Sequence, residues 1–114
     1  MLPEEGVLLR IFIGESDRYE GKPLYEWIVL KARENDIAGA TAIRGLLGFG
    51  ANSRLHSAKI LRISQDLPII VEIIDTPSKI EEFYSIINHV IKEGLVTTEK
   101  AKIQFYRAEK PNPA

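Results

Sequence analysis

The sequence predicts an α+β fold of the βαββαβ kind, and three observations carry that prediction. Runs rich in β-branched and aromatic residues read as strands at 7–13, 40–47 and 67–74. Two stretches with helical apolar spacing, each opened by a proline, alternate with them. The chain has 114 residues, 45% of them apolar, which suits one domain over residues 1–114 with a core of its own.

Residues 7–13 come first. Val7, Leu9, Ile11 and Ile13 make one wholly apolar face, while Leu8, Arg10 and Phe12 make the other. Residues 15–21 read as a polar loop. Pro23 suits a first helical position, and Leu24, Trp27, Ile28 and Ala32 recur at helical spacing, so residues 24–36 are predicted as a helix with Trp27 in the core. Ala38-Gly39 ends it, and residues 40–47 read as the second strand.

Gly48-Phe49-Gly50-Ala51-Asn52-Ser53 is a loop, and residues 55–63 read as extended. Gln65-Asp66 marks a turn. In residues 67–74, Pro68 fits a strand's first positions; Ile69, Val71 and Ile73 share one face, and Ile70, Glu72 and Ile74 the other. Thr76-Pro77 opens the second helix, with Ser78 and Glu81 as a rival capping box, and Ile80, Phe83, Tyr84, Ile87, Val90 and Ile91 form its stripe. Gly94 caps it, and residues 103–107 are expected to be the last strand.

Two βαβ halves of this order give a ferredoxin-like split sandwich: a four-stranded antiparallel sheet with both helices on one face. The first and third strands lie together at its centre and place Arg10 and Glu72 on the same open face, where they are expected to pair within or across subunits. Leu8, Phe12, Ile70 and Ile74 make that face too apolar to stay wet, so further copies of the chain are expected to cover it.

Composition excludes several function classes. There is no cysteine, so disulfides, thiolate nucleophiles and cysteine-bound zinc are out. With 15 basic and 16 acidic residues the net charge is −1, which gives no support for broad nucleic-acid binding. The first residues carry two glutamates and no basic region of a secretory signal. Residues 67–74 are too short to span a bilayer. A cytoplasmic protein without membrane insertion is expected.

Three constellations carry possible chemistry. Gly48-Phe49-Gly50 is followed by Arg54 and His56. Glycines let backbone N–H groups approach an anion, and an arginine fork suits phosphate. Neither a Walker lysine nor a helix follows, and a glycine-bearing hairpin loop with a solvated arginine explains the same residues. Glu15, Asp17 and Asp75 form an acidic set. The first and third strands are expected to run parallel, which would gather the three carboxylates at one sheet end, where three oxygens suffice for Mg²⁺; the stronger reading is that Asp75 stands near a helix N-terminus, where negative charge is favourable. The two histidines, His56 and His89, join no triad, and His89 lies off the apolar stripe.

The stretches Gly39-Ala40-Thr41-Ala42-Ile43-Arg44-Gly45, Gly48-Phe49-Gly50, Ser53-Arg54-Leu55-His56, Asp66-Leu67-Pro68 and Val71-Glu72-Ile73 resemble a family of uncharacterised PII-like proteins, related to the nitrogen-regulatory PII proteins. Gly21-Lys22-Pro23-Leu24-Tyr25-Glu26 and Glu93-Gly94-Leu95-Val96-Thr97 match its style, so the resemblance spans residues 8–107. It implies a ferredoxin-like homotrimer with adenine-nucleotide sites (ATP, ADP or AMP, with Mg²⁺ as a possible companion) between subunits, signalling to a partner protein. It implies nucleotide contacts by Gly48, Phe49, Gly50, Arg54 and His56, with no metal ligands and no catalytic residues. Two features depart from the PII pattern. No tyrosine lies between Gly48 and Lys59, so uridylylation is not expected, and Gly94 leads into Leu95-Val96-Thr97 without the phosphate-gripping glycine-lysine loop. A metal-responsive trimer like the divalent-cation tolerance proteins, using Glu15, Asp17 or His56, is the alternative. A small enzyme ranks last, for want of a nucleophile–base pair.

Overall fold

The computed structural model describes residues 4–49 and 66–109. Strand β1 (Glu5–Gly14) is followed by a two-stranded ribbon, β2 (Arg18–Tyr19) and β3 (Lys22–Pro23), then helix α1 (Leu24–Glu34) and β4 (Gly39–Arg44). After residue 65 come β5 (Pro68–Asp75), α2 (Pro77–Ile87) and β6 (Leu95–Lys102). The main sheet has the order β4-β5-β1-β6, antiparallel throughout. This is the predicted α+β, ferredoxin-like arrangement. The extended reading of residues 55–63 lies outside the described residues.

Alternation along β1 and β5 sends Leu9, Ile11, Ile13, Ile69, Val71 and Ile73 to one side of the sheet, where all six are buried. There they meet Leu24, Ile28 and Ala32 of α1 and Ile80, Phe83 and Ile87 of α2 in one core. Both helices therefore cover the same face. Trp27 packs only at the edge of that core, with its ring 4.9 Å from Tyr19 and Lys31 over it. The ribbon that supplies Tyr19 occupies the expected polar loop. Its two-residue turn, Glu20-Gly21, has positive φ at both positions, the geometry that matches strand twist.

The register sets out the opposite face in rows. Thr41, Glu72, Arg10 and Thr97 lie across one row. Arg10 Nε donates to Glu72 at 2.9 Å, the pairing expected from sequence, and its Nη1 donates to Glu99 at 2.8 Å. The hydrogen bond to Glu72, ahead of the nearby charge of Glu99, holds the Arg10 guanidinium above its ordinary pKa, against a smaller opposing effect of burial. A second row, Ile43, Ile70, Phe12 and Leu95, is apolar from edge to edge. Leu8 and Ile74 fall in a third.

Several expectations are corrected. The first and third strands run antiparallel, with Val7 opposite Asp75 and Gly14 opposite Pro68. A helical crossover returns β4 in the direction of β1, so a strand lying between them must run the other way. Asp75 thus sits at the far end of the sheet from Glu15 and Asp17, and the acidic set does not assemble. The buried Asp75 carboxylate instead accepts from the Ala38 N–H at 2.8 Å and from the N–H of Thr76 at 2.6 Å, as its place at a helix start suggested.

The last strand is Leu95–Lys102, not residues 103–107. It is an edge strand with mostly exposed side chains, so the free edge of β1 chose it, not its own apolarity. Pro23 is the N-cap of α1, one place before the expected position. Thr76 caps α2, its hydroxyl accepting from Lys79 N–H, and the rival Ser78 lies inside the helix. Helix α2 stops at Ile87, before Val90 and Ile91, and Gly94 serves a purpose other than capping. Among the described residues no helix is long and apolar enough to cross a membrane.

Candidate functional site

The antiparallel register brings the C-terminal end of β1, the C-terminal end of β4 and the N-terminal end of β5 to the same end of the sheet. The turn before β6 arrives there too, since Phe12 faces Leu95. A cleft of about 300 Å³ opens among them. Its floor is apolar, made by Phe12, Ile13, Pro68 and Ile70. Phe12 and Ile70 belong to the apolar row, so the cleft is continuous with the sheet face opposite the core.

Three turns form the walls. The first follows β4 and presents Gly45, Leu47, Gly48 and Phe49. It lies close against β5: the Gly45 N–H donates to the Pro68 carbonyl at 2.7 Å, and a Cβ on Gly45 would come within 2.9 Å of Pro68 Cγ. Glycine here lets backbone and proline ring touch. Leu47 and Phe49 stay largely exposed at the rim.

The second wall joins the turn after β1 to the residue entering β5. Asp17 Oδ2 accepts from the Gly14 N–H at 3.0 Å. Asp66 Oδ1 accepts from Ser16 N at 3.0 Å and Ser16 Oγ at 2.7 Å, and the Glu15 N–H donates to the Leu67 carbonyl at 2.8 Å. Beside them Arg44 pairs with Glu15. The third wall is Glu93-Gly94. Gly94 has a φ of 145°, and a Cβ there would collide with the Phe12 carbonyl oxygen, so only glycine lets this turn lie against β1.

Of the residues singled out from sequence, the structure brings Gly48 and Phe49 to the cleft rim, together with Asp17. Gly50, Arg54 and His56 lie outside the described residues. His89 is exposed, as expected, but in the turn after α2. Asp66, Glu93, Phe12 and Gly94 were not anticipated as cleft residues. A signal for three of them existed, since Asp66 and Glu93-Gly94 sit in stretches that carry the family resemblance. Among the described residues no group of three His, Cys, Asp or Glu side chains is placed to hold a metal ion.

Comparison with known proteins agrees with this architecture. The model of the DUF190 family, described as "Uncharacterized ACR", matches residues 6–103. A UPF0166 protein of Aquifex aeolicus (strain VF5) is 36% identical over 98 residues, covering 86% of this chain and 92% of that protein. A UPF0166 protein of Methanocaldococcus jannaschii is 32% identical over 90 residues, covering 78% and 82%. Among solved structures, CPII from Thiomonas intermedia K12 bound to ADP and bicarbonate superposes with a TM-score of 0.64 at 12% identity, over 87% of this chain and 88% of that one. CPII bound to ADP, AMP and bicarbonate, titled a nitrogen regulatory PII-like protein, gives 0.61 at 12% identity over the same shares. At that identity the likeness is one of fold. The family match and the two relatives together establish that this chain belongs to the DUF190 family, with a PII-like fold.

Proposed function

We propose that this protein is a PII-like regulator that binds an adenine nucleotide in the cleft at the β1–β4–β5 end of the sheet. The observation that carries the reading is the cleft's construction. It is concave, floored by apolar side chains and walled by glycine-bearing turns, the character of a small-molecule site. Phe49 and Asp66, which flank the segment 50–65 that holds Gly50, Arg54 and His56, both line the cleft. Ligand bound between those two points acts on that segment and so on what a partner protein meets. CPII, the fold neighbour, is bound to ADP, AMP and bicarbonate, which supports the choice of ligand class.

In this reading Gly48 and Gly50 allow close backbone approach, Phe49 lies against the ligand, Arg54 holds phosphate and His56 makes a polar contact. The cleft opens on the sheet face that further copies are proposed to cover, so it lies between subunits of a homotrimer. The protein works by binding in the cytoplasm, not by catalysis. The metal-responsive alternative, which uses Glu15, Asp17 or His56, gains nothing from Asp75, because antiparallel strands separate Asp75 from Glu15 and Asp17.

Calorimetric titration with AMP, ADP and ATP, with and without bicarbonate, tests the reading. Binding by the wild type is expected, and Arg54→Ala should weaken it by about tenfold to a hundredfold, the loss of a charge-assisted hydrogen bond of about 1.5–3 kcal/mol. Arg54→Lys should recover part of the loss, because the charge stays and the fork geometry goes. No binding at millimolar concentration would sink the nucleotide reading. Wild-type affinity in a folded Arg54→Ala variant would remove Arg54 from the site.

A further inference from the structure

We infer that copies of this chain meet head to tail, with Arg107 of one copy pairing with Glu99 of the next. The contact rests on the homotrimer proposed above and fixes the register of its ring. Residues 103–107, expected from sequence to be a strand, instead cross the end of the sheet away from the cleft. The Ile103 N–H donates to the Glu4 carbonyl at 2.7 Å. Its side chain packs over Gly6 of β1, where a Cβ would come within 2.6 Å of Ile103 Cδ1. Further on, the Tyr106 hydroxyl donates to the Ala38 carbonyl at 2.7 Å, beside the first residue of β4. Neighbouring strands stand about 4.8 Å apart, so β6 and β4 are separated by roughly 14 Å, a span that about four extended residues cover. The segment therefore carries the chain from one edge of the sheet to the other.

That course leaves opposite charges at the two edges, at one level of the sheet. Gly39, Ile74, Leu8 and Glu99 form a row across all four strands. Glu99 is the β6 end of this row, and Tyr106 is bonded beside its β4 end. Arg107 comes next in the chain. Its guanidinium lies 4.1 Å over the exposed ring of Phe105 and, among the described residues, meets no carboxylate. In the rows through Leu8, Arg10 and Phe12, the ionisable residues of the open face are Arg10, Glu72 and Glu99, one guanidinium for two carboxyl groups. Arg10 engages one oxygen of each, and the Glu99 side chain stays 58% exposed. A rotation axis along the strands sets the β4 end of a row against the β6 end of the same row in the next copy, the heterologous contact that closes a ring. An arginine fork resting on an aromatic ring is suited to a carboxylate there, and opposite charges set the register in which the apolar face is covered.

The experiment is light scattering of the full chain across a dilution series at low ionic strength, with circular dichroism to show that each variant is folded. Both positions are exposed, and neither lines the cleft. A partly exposed ion pair is worth about two- to fivefold in affinity, and a closed ring repeats it at every interface. Arg107→Glu and Glu99→Arg each set like charges face to face, so each should raise the concentration of half-dissociation by at least about tenfold. The double variant exchanges the two charges and should assemble at lower concentration than either single variant. Arg107→Glu, on a segment outside the sheet, keeps the test decisive should Glu99→Arg not fold beside Arg10. If wild type has the mass of three chains and a folded single variant assembles just as it does, or the double variant is no tighter than the singles, this inference is overturned while the homotrimer stands. If wild type has the mass of one chain, both fall.

Discussion

At the scale of single residues, the site end of the sheet depends on close backbone approach. Gly94 is the clearest case. Its φ of 145° is one that L side chains rarely adopt, and a methyl there meets the Phe12 carbonyl. Gly94→Ala should therefore lower stability by at least ~1 kcal/mol, because the native conformation cannot accept the new side chain. A urea melt would read this as a lower midpoint with an unchanged slope; an unchanged midpoint would show that the turn can move off β1 without cost. Asp66 makes the complementary point. Its backbone is left-handed and its side chain is held by Ser16, so one residue both ends a connection and furnishes a cleft wall. The sequence marked Gln65-Asp66 as a turn but had no means of showing that Asp66 and Ser16 meet, since 50 residues separate them.

At the scale of elements, the helices were well marked and the strands less so. Thr76-Pro77 is a local signal: a hydroxyl bonds the N–H three residues on, and a proline sits where its missing N–H costs nothing. Thr76→Ala should cost about 1 kcal/mol, within the range of roughly 0.5–2 for lost N-caps, measured by thermal or urea denaturation. Ser78, the competing cap candidate, would carry the helix start instead if the variant proved as stable as wild type. The end of α2 and the position of β6 escaped the sequence for a shared reason. Val90 is buried although it lies beyond the helix, so an apolar stripe continues past the point where the helix stops. Residues 103–107 have the stronger apolar and aromatic pattern, yet Leu95–Lys102 is the strand. An edge strand gains its stability from hydrogen bonds to its neighbour, and those leave no period in the side chains.

At the scale of the whole molecule, the sheet has one face in the core and one on which no helix packs among the described residues. The apolar row from Ile43 to Leu95 spans all four strands, with 43% and 56% of those two end residues exposed. A patch of this kind marks an interaction surface. On the homotrimer proposed above, the protein in solution should have the mass of three chains of 12.8 kDa by light scattering. Leu8→Lys, on the same face and outside the cleft, should dissociate it while leaving a folded monomer. A wild type with the mass of one chain at micromolar concentration would rule the assembly out, and a trimer unaffected by Leu8→Lys would place the interface elsewhere.

The sequence by itself determined what depends on neighbours a few residues apart: the two helices and the cap of α2, the alternation that splits β1 and β5 into a core side and an open side, and the family. It also placed Arg10 and Glu72 on the same open face, because alternation fixes the side of the strand, while the antiparallel register made them neighbours. Tertiary structure decided what depends on strand direction and pairing. Opposite directions of β1 and β5 sent Asp75 away from Glu15 and Asp17 and brought Asp66 to Ser16 in its place. The pairing of β6 with β1 carried Glu93-Gly94 to the cleft. The physical reason is that periodicity records which side of a strand is buried, whereas direction and partner are set by hydrogen bonds between distant backbones, whose chemistry is the same for every residue.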